Sequence, residues 1–239
     1  MDAMADNKNN LNKLDKNKHI NISFICSGNT CRSYIAEAVA AYLLRTVYYT
    51  KNPSLKNKIN INSAGTSVVL SKVPENSFKA LDMLGIPNIK LIPSQINEPL
   101  VKKSDLILVM SASHKNTIIK SFNNFDCEKI FSLKELSNII LYLETEKIYK
   151  MKSPISSKDT LIDKKVSSLK TGHGKSPSAN TIKTIRGKIF SLKNINRRVP
   201  STPDNLDIED PFGKSIKVYC STAKKIHENI VTVFNYLFN

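Results

Sequence analysis

The stretch Ile22-Ser23-Phe24-Ile25-Cys26-Ser27-Gly28-Asn29-Thr30-Cys31-Arg32-Ser33, followed after Tyr34 by Ile35-Ala36-Glu37-Ala38-Val39-Ala40-Ala41, sets a short polar loop between an apolar run and an alanine-rich run. The apolar residues read as a buried strand and the alanine-rich residues as a helix. A turn entering a helix leaves backbone N–H groups without partners, and their concavity binds an oxyanion. Gly28 gives that turn its freedom to bend. Arg32 adds planar, permanently charged donors matched to two phosphate oxygens. The same positive surroundings favour the thiolate of Cys26, a ready nucleophile. The plainer alternative, a structural cysteine beside a surface arginine, fits the strand–loop–helix context less well.

Outside this loop the signals alternate. Ile20–Cys26 reads as a first strand, Ser33–Tyr49 as a first helix, and Lys58–Asn62 as a second strand ended by Ser63-Ala64-Gly65-Thr66. Pro74–Leu84 is helical, with Gly85-Ile86-Pro87 as its stop. Leu106–Met110 suits a strand buried on both faces, and Lys129–Phe131 a short fourth strand. Ser215–Leu237 carries apolar residues near helical spacing and closes the chain. The alternation predicts an α/β fold: a four-stranded parallel sheet with helices on both faces, doubly wound, with its ligand beyond the carboxyl ends of the strands.

The net charge of +16, from 36 Lys and Arg against 20 Asp and Glu, resembles a nucleic-acid signature until its distribution is considered. Thirteen of those basic residues fall between 150 and 200, against only Asp159 and Asp163. This segment is rich in Ser, Gly and Pro and shows no sustained period, so 150–200 reads as a basic low-complexity insertion within one domain formed by 19–149 and 201–239. It is either a solvated loop or a site for a polyanion or acidic partner, in which case 182–195 would form a basic helix on contact. Residues 1–18 read as a disordered polar tail. Four cysteines (Cys26, Cys31, Cys127, Cys220) without a secretory signal point to a reducing, cytoplasmic setting, and no apolar run approaches the ~18 residues of a membrane span. No metal site or cofactor is expected.

Asp210-Pro211-Phe212-Gly213 is the second chemical landmark. Proline after Asp210 keeps the aspartate out of helical geometry and lets it project. A carboxylic acid reaching the loop would protonate the atom that leaves as Cys26 takes a phosphoryl group, then act as base on water. An Asp-Pro pair is also a common turn, and Asp204, Asp207 and Glu209 share the patch.

The run Ile22–Ser33, Ser63-Ala64-Gly65-Thr66, Asp105–Met110 with His114-Lys115, Phe131-Ser132-Leu133-Lys134-Glu135 and Asp210–Gly213 together resemble the low-molecular-weight protein phosphatase superfamily, in order and over both ordered pieces. The resemblance implies Cys26 as phosphorylated nucleophile, Arg32 as phosphate and transition-state ligand, and Asp210 as general acid. It implies substrate contact by Ser27, Gly28, Asn29, Thr30, Cys31, Ser33 and Phe212, with Asn29 and Ser33 also shaping the loop. Cys31 matches a neighbour that forms a protective disulfide with the nucleophile. Within the superfamily, Thr30, Phe212-Gly213 and the Phe-Ser-Leu-Lys-Glu stretch resemble bacterial protein arginine phosphatases, which implies phosphorylated protein substrates and phosphoarginine as the group removed. A tyrosine phosphatase is the alternative. An arsenate reductase, which needs two further cysteines where 84–109 has none, and a phosphate- or nucleic-acid-binding non-enzyme fit less well. Tyr34 stands where the family commonly has proline, which is expected to loosen the helix start or narrow the pocket mouth.

Overall fold

The computed structural model describes residues 19–152, 177–196 and 206–239. Strand β1, Ile20–Cys26, is followed by α1, Arg32–Leu43, which runs on through a π-helical turn at Leu44–Tyr48. Then come β2 (Ile59–Gly65), α2 (Glu75–Asp82), α3 (Glu98–Lys103), β3 (Leu106–Val109), α4 (Ala112–Ser121) and β4 (Ile130–Ser132). Three long helices complete the order: α5, Leu133–Lys152; α6, Pro177–Asn196; and α7, Ile216–Phe238. The strands pair in parallel in the order β2-β1-β3-β4, the four-stranded sheet that the alternation predicts.

Period-two alternation sorts the strand residues onto two faces. Ile20, Ile22, Phe24, Leu106 and Leu108 join α1, α5 and α7 in the larger core, where Tyr34, Tyr48 and Phe234 are also buried. Ile25, Ile107, Val109 and Ala64 face α3 and α4, packing on Val101 and Ile118. Because both faces are covered, β3 is apolar throughout. The chain passes outward from β1 to β2 on one side and from β3 to β4 on the other, so Cys26, at the carboxyl end of β1, sits where such a sheet opens a crevice.

Two boundaries differ from the sequence reading. β2 extends through Ser63-Ala64-Gly65 because the ladder to β1 continues to the pair Cys26 and Gly65. The reading of 150–200 as a segment without period fails over Pro177–Asn196, which forms α6. Ile182, Ile185, Ile189 and Leu192 are buried at spacings of three and four, a helical stripe hidden in the sequence by the intervening lysines. Nor does this helix await a partner: Arg186 donates to the carboxylate of Asp105 at 2.7 Å and to the carbonyl of His19 at 2.6 Å, and Lys193 pairs with Asp126 at 2.8 Å. Lys188 donates to the carbonyls of Tyr236 and Asn239 at the end of α7. His19 and Asp105 precede β1 and β3, so α6 braces the end of the sheet opposite Cys26. The polar tail 1–18 and the stretches 153–176 and 197–205 lie outside the described residues.

Ile185→Ala removes side-chain volume from a site with 1% exposure, and the expected loss is about 2–5 kcal/mol in urea unfolding. A change within about 0.5 kcal/mol, as at a surface loop, would show that α6 is not part of the core.

Candidate active site

The polar loop leaves β1 at Cys26 and enters α1 at Arg32, and the ladder with β2 continues into it. Thr66 donates its N–H to the Cys26 carbonyl and Ser67 to that of Ser27, both at 2.9 Å. Gly65 is required by this approach: a Cβ there would stand 2.4 Å from the Ser27 carbonyl oxygen and 3.0 Å from the Asn29 nitrogen. The left-handed residue of the turn is Asn29, with φ 55°, and not Gly28, whose φ is ordinary. At Gly28 an added Cβ would instead crowd the Thr30 hydroxyl at 3.2 Å.

Asn29 is fully buried and every polar group of its side chain is used. Its amide N–H2 donates to Ser33 Oγ at 3.0 Å and Ser63 Oγ at 2.7 Å, and its Oδ1 accepts from the Ser94 N–H at 3.0 Å. Ser63 in turn donates to Glu37 at 2.6 Å; burial pushes the Glu37 carboxyl up, and that hydroxyl partly holds it down. Since Ser33 accepts from Asn29, its one hydrogen is free for Cys26 Sγ at 3.0 Å. From α2, Ser77 donates to the Thr30 carbonyl at 3.1 Å and fixes the far side of the loop.

Arg32 is 5% exposed and reaches the segment carrying Asp210. Nη1 donates to the Ile208 carbonyl at 3.2 Å and Nη2 to Asp210 Oδ2 at 2.5 Å, joining residues 178 positions apart. Its Nε is buried and has no hydrogen-bond partner among the described residues. Asp210 Oδ1 accepts from the Phe212 N–H at 3.2 Å. Gly213 has φ 72°, so turn geometry alone accounts for glycine there.

A pocket of about 190 Å³ opens over Cys26 and is lined by Ser27, Gly28, Thr30, Cys31, Arg32, Asp210 and Phe212. Asn29 and Ser33, also expected to contact substrate, are not in its wall: they lie beneath the loop as supports. Cys31 Sγ lies 3.4 Å from the Tyr219 hydroxyl, and burial pushes its thiol up, so Cys31 is a neutral thiol beside Cys26. Tyr34 neither loosens the helix nor enters the pocket. It is fully buried, donates to the Ile89 carbonyl at 3.2 Å and meets Phe78 edge-on at 5.7 Å between centroids.

Ser67, Val69 and Leu70 also line the pocket, and Val69 is 85% exposed. Nothing in the sequence marks these residues, because a loop beyond a strand has no period to read. His114 enters the sequence reading only as part of the family resemblance, with no role given to it. It is buried beneath the loop, with Nε2 2.9 Å from Ser27 Oγ and Nδ1 2.7 Å from Ser111 Oγ. Burial, then the charge of Arg32, lower its pKa to about 4, against the opposing pull of Asp210 and Asp207. No group of three or more His, Cys, Asp or Glu among the described residues is arranged to hold a metal ion, and none of the described helices is long and apolar enough to cross a membrane.

The profile of the low molecular weight phosphotyrosine protein phosphatase family matches residues 21–147. The chain is 31% identical over 118 residues to a protein-arginine-phosphatase of Bacillus subtilis, covering 48% of this chain and 71% of that one. It is 34% identical over 99 residues to a low molecular weight protein-tyrosine-phosphatase of Acinetobacter johnsonii, covering 41% and 61%. A crystal structure of the Bacillus subtilis protein YwlE, a mutant, superposes with TM-score 0.54 at 22% identity, over 92% of this chain and 99% of that one. A solution structure of a low molecular weight protein tyrosine phosphatase from Bacillus subtilis gives 0.55 at 22%, over 91% and 97%. At that identity the two structures speak for the fold alone.

Two predictions follow from the geometry. Gly65→Ala forces two loop backbone atoms to move, with an expected fall in kcat/KM of about 100-fold; near-normal turnover would show that the loop is not held by this approach. His114 stays neutral in the folded protein down to about pH 4, whereas the unfolded chain takes up the proton near 6.5. Between those values the unfolded state binds more protons, so stability is complete above about pH 6.5 and falls as pH drops toward 4. Denaturant unfolding across that range, with His114→Gln showing a shallower slope, checks it.

Proposed function

The chain belongs to the low molecular weight phosphotyrosine protein phosphatase family and is a cysteine-dependent phosphatase, and we propose on that premise that it removes phosphate from phosphoarginine in proteins. The observation that carries the site assignment is Arg32: one buried guanidinium spans the Cys26 loop and Asp210 and still holds an unused Nε donor at the pocket.

In the proposed reaction the phosphoryl group enters the loop and takes hydrogen bonds from its amides and from Arg32. The Cys26 thiolate attacks phosphorus and the P–N bond breaks. The incoming phosphate displaces Asp210 from Arg32, and Asp210 in its protonated form gives its proton to the departing guanidine nitrogen. Water then attacks the phosphocysteine, Asp210 accepts its proton, the S–P bond breaks and Cys26 returns as thiolate. Arg32 and the loop amides stabilise the charge of both transition states.

Thr30 favours arginine, since it puts a short polar side chain in the pocket wall where a planar guanidinium can be accommodated. The similarity to a protein-arginine-phosphatase over 71% of its length agrees with that choice. The tyrosine reading rests on a different observation: Val69, Leu70 and Phe212 give the same pocket apolar walls suited to a phenol ring. Gly213 no longer discriminates, because its left-handed backbone explains it.

Purified protein given phosphoarginine and phosphotyrosine peptides together should hydrolyse the former faster, and Thr30→Ile should move the ratio toward phosphotyrosine. Preference for phosphotyrosine in the unaltered protein would overturn the arginine assignment. Cys26→Ser should abolish turnover while phosphate still binds; retained turnover would remove Cys26 as nucleophile.

A further inference from the structure

We propose that His114 is a positioning residue that aims the Ser27 hydroxyl at the phosphoryl group through a directed chain of hydrogen bonds, Ser113 to Ser111 to His114 to Ser27. The inference rests on the reading of the Cys26 loop as a phosphate site.

The distances define a continuous path. Ser113 Oγ lies 2.7 Å from Ser111 Oγ, Ser111 Oγ lies 2.7 Å from His114 Nδ1, and His114 Nε2 lies 2.9 Å from Ser27 Oγ. Ser111 and His114 are buried, at 5% and 4% exposure, whereas Ser27 is half-buried and lines the pocket beside Cys26. Ser113, where it begins, is exposed, so the path runs from the surface through buried Ser111 and His114 to the pocket.

Donor counting gives it a direction. A neutral imidazole has one N–H and one bare nitrogen, and the two tautomers have opposite consequences for Ser27. With hydrogen on Nδ1, Ser27 must donate to Nε2 and presents only lone pairs to an anion, which repels it. With hydrogen on Nε2, His114 donates to Ser27 Oγ, and the Ser27 O–H is left to donate to a phosphate oxygen. The second arrangement also satisfies Ser111 completely. Its hydroxyl accepts from the His114 backbone N–H at 3.4 Å and from Ser113, and donates to Nδ1. Each bond in such a chain polarises the next toward the anion. A positively charged imidazolium would break the sequence by donating at both nitrogens, and burial beside Arg32 disfavours that form.

The test reads phosphate binding and tautomer separately. Wild-type protein labelled with ¹⁵N histidine should show the Nε2–H tautomer of His114 in inorganic phosphate; an Nδ1–H tautomer would overturn the proposal without any variant having to fold. Competitive inhibition by inorganic phosphate should weaken about tenfold in Ser27→Ala, as for loss of one charge-assisted hydrogen bond. His114→Ala should weaken it comparably, and the double variant no further. His114→Gln, which keeps an amide donor at the Nε2 position, should recover most of the loss. If His114→Ala lowers Tm but leaves inhibition unchanged, or if its effect multiplies with that of Ser27→Ala, His114 is structural only and the proposal fails. If the wild-type protein itself binds no phosphate, the reading of the loop fails first.

Discussion

The carboxamide of Asn29 is the interaction on which the site depends. An anion-binding loop must turn its amide groups inward and away from their neighbours, so it cannot be held by ordinary backbone pairing. Asn29 takes the left-handed conformation that reverses the chain, and its side chain then does what a ladder would have done, bonding Ser33, Ser63 and the Ser94 N–H. Those partners belong to α1, β2 and the connection to α3, so one side chain ties the loop to three parts of the fold. The bonds to Ser33 and Ser63 are buried, and leaving either of them unmade would cost about 1–3 kcal/mol. The Ser33 hydroxyl is directed at Cys26 only because Asn29 occupies its acceptor side.

Arg32 plays the corresponding part between the two halves of the chain. Nη1 and Nη2 draw in the Ile208 carbonyl and the Asp210 carboxylate, while Nε has no partner among the described residues. A buried guanidinium needs opposite charge nearby. Asp210 supplies it when the pocket is empty, and a phosphoryl dianion is the natural competitor for the same donors. Cys31, five residues on and directly before α1, has different surroundings: Cys26 Sγ lies 3.0 Å from the Ser33 hydroxyl, whereas Cys31 is buried against Tyr219 and burial pushes its thiol up.

The chemistry was legible in the sequence because Cys26, Arg32 and the turn residues are consecutive, and because strands buried on both faces announce themselves as unbroken apolar runs. Asp210 could be suspected from its proline, but its distance from the loop needed the fold. What escaped reading has two physical causes. In α6 the buried Ile182, Ile185, Ile189 and Leu192 are diluted by lysines whose stems and ammonium groups are themselves used in anchoring, so composition argued for solvent where geometry argues for core. Val69 and Leu70 act through three-dimensional neighbours alone, and an exposed valine carries no pattern, whereas His114 stood within a family motif but its contact with Ser27 needed the fold. Gly213 was misread for the opposite reason, since its identity answers to backbone conformation before it answers to the substrate.

The long stretch between α5 and Asp210 does not loosen the acid, because chain continuity is not what places it. The acid segment is fastened by contacts of its own: Ser132 Oγ donates to the Leu206 carbonyl at 2.7 Å, the Ala112 N–H to Asp207 Oδ1 at 2.8 Å, and the Ile208 N–H to the Met110 carbonyl at 2.8 Å. All three partners lie at the carboxyl ends of β3 and β4, the same edge of the sheet as Cys26. Entropy lost on closing a loop grows only logarithmically with its length, so a few fixed hydrogen bonds at the landing point offset a large increase in the chain that precedes them. Helix α6 meanwhile binds the opposite ends of the strands, through Asp105 and His19. The long stretch is accommodated because its two consequences are separated by the length of the sheet: the packing of α6 at one end, and Asp210 held by Arg32 beside the Cys26 loop at the other.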